Sequence, residues 1–250
     1  MIVKTSAIPL YFTDVSNTSR IVTWLTARYG KLSTIIKGEQ RKNSLFRGQY
    51  DLFSTSELVF YDRTEKGIHI AKECSMLTRR AAFRSDWKAC AAAGYISALF
   101  AKTSPRHGYE PGRFEFFEEM LSHAETYGHC APFLVWFDLQ FAEFQGQMLQ
   151  LEEEEARDPR IARRFSAEHG GVIEPEYARQ HRIAAAPLSR EALALLRAWQ
   201  QAPTPKSVLA TQVNPAHLTQ IERVLEKFVS WQFDLPPHVR KKAVETLRAA

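Results

Sequence analysis

Between Arg20 and Arg47 the chain carries seven cations, Arg20, Arg28, Lys31, Lys37, Arg41, Lys42 and Arg47, against a single carboxylate, Glu39. Cations at that density repel one another unless a polyanion is present. The chemistry they serve needs no covalent step: they neutralise phosphates and release the counterions those phosphates held. Four aromatics, Trp24, Tyr29, Phe46 and Tyr50, are interleaved with them. Rings beside a cationic track are what unpaired bases stack on. Trp24 alternates with Val22 and Thr26 and reads as core, whereas Tyr29, Phe46 and Tyr50 fall in turns or loops and are the stacking candidates. With no pattern that reads base edges, little sequence preference is expected.

Other chemistries find no support. The chain has no Walker loop, G-x-S-x-G, H-E-x-x-H or dinucleotide fingerprint. Glu118 and Glu119 are consecutive, so a helix points them in different directions and they do not make a two-metal centre. His123, His129 and Cys130 lie close in sequence, but His129 and Cys130 are adjacent and neighbours rarely face one ion. Three cysteines (Cys74, Cys90, Cys130) without a CxxC suggest neither a disulfide framework nor a thiolate metal site, and fit a reducing compartment. The expectation is a protein that is not an enzyme, with no cofactor and no metal.

The cations must be positioned by β-structure. Residues 2–77 alternate β-branched and aromatic runs with turn signals, which predicts five strands over Ile2–Phe12, Ser19–Ala27, Lys31–Lys37, Thr55–Tyr61 and Ile68–Met76. Tyr29-Gly30 and Glu65-Lys66-Gly67 are the hairpin turns. Pairing of the second and third strands sets Arg28 beside Lys31 at the turn and Arg20 near Lys37 at the other end, with Arg41, Lys42 and Arg47 in the adjoining loop. Five short strands in so little chain predict a small closed barrel, of which the OB-fold is the common nucleic-acid-binding form.

From Thr78 the period becomes helical. Helices are expected to about Lys102, over Gly112–Tyr127, and over Pro132–Gly146, the last apolar nearly all round and so buried. Further on, Ser189 caps a helix to about Gln200, Asn214-Pro215 opens one carrying Leu218, Ile221, Leu225 and Phe228, and Pro237 opens the last, to Leu247. Asp158-Pro159 and Gly170-Gly171 bracket a short helix in an irregular insert at about 147–187. The expected class is thus α+β, with a five-stranded OB barrel at residues 1–79 and an all-α region at 80–250.

At 250 residues, with 45% hydrophobic and 24% charged, the chain is long enough for two domains with real cores. The net charge of +5 is uneven: the first 80 residues hold 13 Lys and Arg against 7 acids, which is the whole excess. No secretory signal pattern opens the chain, and no apolar run is long enough for a membrane helix, so a cytoplasmic protein is expected.

Thr26, Gly30-Lys31, Lys37-Gly38, Lys42, Ser44, Gly48 and Phe53 follow the order and spacing of the amino-terminal domain of the RecO family of bacterial recombination and repair mediators. Phe137-Asp138-Leu139 running to Gly146 resembles that family's Phe-Glu-x-x-Leu-Leu-x-x-x-Gly helix motif, and Gly170-Gly171 after Phe165-Ser166 resembles the turn between its paired cysteines. The resemblance implies an OB barrel that binds single- and double-stranded DNA, promotes strand annealing and, with RecR, assists RecA loading on DNA coated by single-strand-binding protein in the RecF pathway. It further implies a hydrophobic pocket in the helical region for the acidic tail of that protein, and a nucleoid-associated location. One departure is evident: many members carry paired cysteines as a zinc site, and the aligned positions here hold Glu154, Arg157, Glu174 and Tyr177. No structural zinc is expected. Ion pairs such as Glu153 with Arg157 replace it weakly, leaving packing to hold the lobe together. The other readings of the same charge are an RNA-binding OB adaptor and, least favoured, a nuclease without a visible centre.

Overall fold

The computed structural model describes residues 1–63, 65, 67–106, 108–152 and 163–249. The expected features at Lys66, Glu153–Arg157 and Asp158-Pro159 lie outside the described residues. The chain forms two compact units, Met1–Glu125 and Thr126–Ala250.

The first unit opens with β1 (Ile2–Ser16), β2 (Ser19–Thr26), β3 (Gly30–Ile36), β4 (Thr55–Tyr61) and β5 (His69–Thr78). They close into a barrel in the order β1-β2-β3-β5-β4, antiparallel except for β3 against β5. This is the five-stranded OB-type barrel that the strand pattern predicts. Alternation along β3 puts Leu32, Thr34 and Ile36 inside, where they meet Val22, Trp24, Leu58 and Phe60. Trp24 is fully buried and donates from Nε1 to Thr34 Oγ1 at 2.9 Å, which satisfies its polar end in the core. Along β1, Ala7, Ile8, Pro9 and Leu10 are all buried, so both faces of that stretch are covered, and α2 packs against it.

Helices α1 (Ala82–Ser85), α2 (Trp87–Thr103) and α3 (Arg113–Tyr127, running two residues into the second unit) follow. Asp86 caps α2 by accepting from the amides of Lys88 and Ala89. The buried Arg80 ties the helical segment to the barrel, donating to the Phe53 carbonyl (2.7 Å) and to Thr55 Oγ1 (3.0 Å) and pairing with Glu118 (3.4 Å).

The second unit holds α4 (Ala131–Phe144), β6 (Arg163–Ser166), β7 (Gly171–Ile173), α5 (Pro175–Gln180), β8 (Ala186–Leu188), α6 (Arg190–Gln200), α7 (Pro205–Leu209), α8 (Pro215–Phe233) and α9 (Pro237–Arg248). As its composition demands, α4 is central: Phe133, Trp136, Phe137 and Phe141 are buried, and Trp136 donates to the Ala202 carbonyl at 2.9 Å. Its buried Asp138 pairs with the buried Arg240 of α9 at 2.7 Å. Gly146, at φ +69, lets the chain leave α4 with its amide on the Glu143 carbonyl. Ser189 and Asn214 cap α6 and α8 as expected.

Two expectations for this unit need correction. The region is not wholly α-helical, because β6 is flanked by β7 and β8 in a three-stranded antiparallel sheet. Gly170-Gly171, expected to close a helix, instead forms the turn from β6 into β7, with Gly170 at φ +65.

Candidate nucleic-acid interface

The β2–β3 turn is the best-defined part of the cationic segment. Thr26 Oγ1 donates to the Gly30 carbonyl (2.8 Å) and accepts from the Tyr29 amide (3.0 Å), closing the turn on itself. Gly30 sits at φ +63, and a Cβ there would fall 1.9 Å from the Gly108 carbonyl oxygen, so only glycine fits. The turn is thus pressed against the segment that follows α2, where Lys31 bridges to Arg106. Thr26 and Gly30 shape the surface and bring no charge to it.

Lys31 points its ammonium at the carbonyl of Ala101, 2.5 Å away, in the last turn of α2. That carbonyl would normally accept from the residue four positions on, which is Pro105 and has no N–H. Half-buried, and facing the charges of Arg106, Arg113 and Lys102, the ammonium has its pKa lowered, with burial the main cause.

At the opposite end of the hairpin, Arg20 is engaged too. It lies over the Phe12 ring at 5.0 Å and pairs with Asp14 (2.8 Å) and Glu39 (3.7 Å). The bond to Asp14 is the main reason its pKa rises. Since Arg20 stands opposite Ile36 and Lys31 opposite Leu25, five residues along the ladder separate the two cations, about 16 Å at strand spacing.

The other five, Arg28, Lys37, Arg41, Lys42 and Arg47, are exposed, and among the described residues none has a carboxylate within ion-pair distance. Lys37, Arg41, Lys42 and Arg47 belong to a loop of successive tight turns, held by amides of Arg41, Ser44 and Arg47 donating to Gly38, Arg41 and Ser44. Arg28 stands apart at the turn end. The seven cations therefore do not form one cluster: four share a loop, one flanks the hairpin turn, and Arg20 and Lys31 are bound into the fold.

The aromatic candidates divide as well. Tyr29 is 37% exposed, with its ring edge-on to Phe60 at 5.8 Å. Phe46 is half-buried against the barrel core. Tyr50 corrects the expectation that a loop position leaves it available for stacking. It is buried against Phe12 and Trp24, at 5.7 and 5.5 Å between centroids, because the loop folds back over the barrel end. Burial, reinforced by Glu39, raises its hydroxyl pKa well above the usual range.

Three residues beside the turn escaped sequence reasoning. Lys102 and Arg106 add cations to the neighbourhood of Lys31, and Tyr109 is 59% exposed. A Lys-x-x-x-Arg pair at a helix end was the available signal, but its partner, Lys31, lies more than 70 residues upstream.

Of the four positions that the resemblance sets at a zinc site, two are described. Glu174 is the N-cap of α5, and Tyr177 stacks on His181 at 4.1 Å. Glu154 and Arg157 lie outside the described residues, and no group of three metal-ligating side chains occurs among the described ones. The lobe is held instead by the β7-β6-β8 ladder, by the Gln150 amide on the Gly170 carbonyl, and by Phe165 against Phe228.

A basic OB-type barrel followed by a helical unit is an architecture of a kind found among nucleic-acid-binding proteins. The particular member follows from comparison. Residues 1–80 match the family described as Recombination protein O N terminal, and residues 84–241 match Recombination protein O C terminal. The chain belongs to the RecO family, whose role is in DNA repair and recombination. It is similar to the DNA repair protein RecO of Chloroherpeton thalassium, 23% identical over 98% of both chains. The DNA repair protein RecO of Synechococcus elongatus is 27% identical over 93% of this chain and 91% of its own, and that of Bacillus pumilus is 28% identical over 61% and 59%. Among the described residues, no helix is long and apolar enough to cross a membrane.

Proposed function

We propose that this protein is a non-enzymatic mediator of DNA repair and recombination. In this reading the barrel, residues 1–79, binds single- and double-stranded DNA through phosphate contacts of Arg28, Lys37, Arg41, Lys42 and Arg47, with Tyr29 and Phe46 beside them. Screening two backbones at once lowers their repulsion and lets base pairing drive annealing. Residues 80–250 serve protein partners: RecR and the tail of single-strand-binding protein, so that RecA can load on coated strands. The protein then works in the cytoplasm, on the nucleoid. The observation that carries this reading is five exposed cations on one small barrel with no carboxylate partner among the described residues.

The test is a salt titration of single-stranded DNA binding. Affinity falls steeply with salt, and Lys37→Ala combined with Arg41→Ala reduces the slope of log affinity against log salt by about 1.4, from about 0.7 per phosphate contact. Salt-independent affinity, or tighter binding of an RNA strand of the same sequence, overturns it.

A further inference from the structure

Beside the β2–β3 turn lies a small cleft of about 190 Å³, walled by Leu32, Phe60 and His69 and rimmed by Arg28, Tyr29, Asp62 and Tyr109. That is below the roughly 300–1,000 Å³ of a drug-sized site, so the cleft has room for one small planar group and no more. The wall is aromatic and fixed: Phe60 is buried in the barrel, meets His69 edge-on at 4.9 Å, and has Tyr29 edge-on from the other side. The rim is held from two directions. Thr26 closes the turn that carries Arg28 and Tyr29. The segment that carries Tyr109 is pinned by the Gly30–Gly108 contact and by Arg113, which donates to Thr103 and Glu110 at either side of it.

We infer that this cleft receives one unpaired base of a DNA single strand, stacked on the exposed rings of Tyr29 and Tyr109, while Arg28 and Arg106 hold the phosphates on either side of it. The inference rests on the reading of the barrel as a DNA-binding surface and adds where a single strand is told from a duplex. Duplex DNA presents phosphates but keeps its base faces stacked on one another, so it can satisfy the cations and leave the cleft unused. A single strand can satisfy both. Every base has a π-face, so the cleft selects for strandedness without selecting sequence. Because the cleft is already formed, little ordering is needed when the base enters.

The experiment compares three probes of equal charge: a single-stranded oligonucleotide, a blunt duplex and a fully abasic deoxyribose-phosphate oligomer. Each is titrated by fluorescence anisotropy against the full chain and its Tyr109→Ala and Tyr109→Phe variants. Tyr109 is largely exposed, so its removal leaves the fold intact. Tyr109→Ala weakens single-strand binding by about 10-fold, as loss of one stacking platform does. It leaves the duplex, the abasic oligomer and the salt slope unchanged, and Tyr109→Phe restores single-strand affinity. Equal weakening on all three probes, or none on any, overturns the cleft while leaving the DNA-binding reading in place. Absence of salt-dependent binding by the unaltered protein to every probe overturns both.

Discussion

The ammonium of Lys31 occupies the place of a missing backbone donor: it binds the Ala101 carbonyl, whose usual partner would be the amide that Pro105 does not have. A lysine in the middle of a basic segment is thereby a helix terminator for α2. Cations are also favoured at that end by the helix dipole.

Lys31→Ala therefore lowers stability by about 1 kcal/mol, the usual worth of one such bond, while the exposed Lys37→Ala changes it by less than about 0.5 kcal/mol. Urea unfolding of the two variants measures this. The salt slope of DNA binding should respond to Lys37→Ala and not to Lys31→Ala, because the ammonium committed to Ala101 is not the one facing phosphate. The reverse pattern would return Lys31 to the binding surface.

Cys74 gives an alkaline signature. Its thiol is buried in the barrel and donates to the Gln49 carbonyl at 3.5 Å, and burial pushes its pKa up from the usual thiol range to about 12. A group whose pKa is raised by folding stabilises the fold below its unfolded pKa, and that contribution is lost as pH climbs toward the folded value. Between pH 9 and 12 the barrel should lose about 4 kcal/mol on this account, which Cys74→Ala removes from the pH profile. Cys74 should also resist thiol reagents at pH 8 until the protein unfolds. Rapid labelling of the native protein at this position would contradict its burial.

The Asp138–Arg240 pair is almost wholly removed from water, at 0% and 2% side-chain exposure. Breaking it from one side strands a charge, so Arg240→Met costs about 3–5 kcal/mol, while Arg240→Met with Asp138→Leu costs less than the single change. Thermal unfolding of both variants decides it. A double mutant less stable than the single would show that the two charges do more than compensate each other.

For the lobe around β6, the prediction is independence from metal. Dialysis against a chelator leaves the melting temperature unchanged, whereas Phe165→Ala, which empties the contact with Phe228, lowers stability by about 3–5 kcal/mol. A chelator-induced drop would point to a metal held by residues other than the aligned positions.

Strands and helices with a long enough period were legible. The turn at Gly30, the burial of Trp24, the central place of α4 and the caps at Ser189 and Asn214 all follow from local pattern and cap chemistry. The β7-β6-β8 sheet was not, since strands of three or four residues are too short to show alternation and are defined by partners elsewhere in the chain. Tyr50 was misread for a related reason: nothing near it reports that its loop returns to the barrel end. Charge counting found the cations of the site but not their commitments. Neither the bond from Lys31 to Ala101 nor the arrival of Arg106 and Tyr109 beside the turn leaves a trace at short range.

One consequence of the strand register concerns how the barrel comes apart. Six or more residue pairs join every other neighbouring pair of strands, but among the described residues β3 and β5 pair only at Thr34 with His69 and Ile35 with Ile70. So short a ladder is the natural seam of the cylinder, where transient opening needs the fewest broken hydrogen bonds. His69 belongs both to that seam and to the wall of the cleft. Breathing of the barrel would therefore be felt first at this wall.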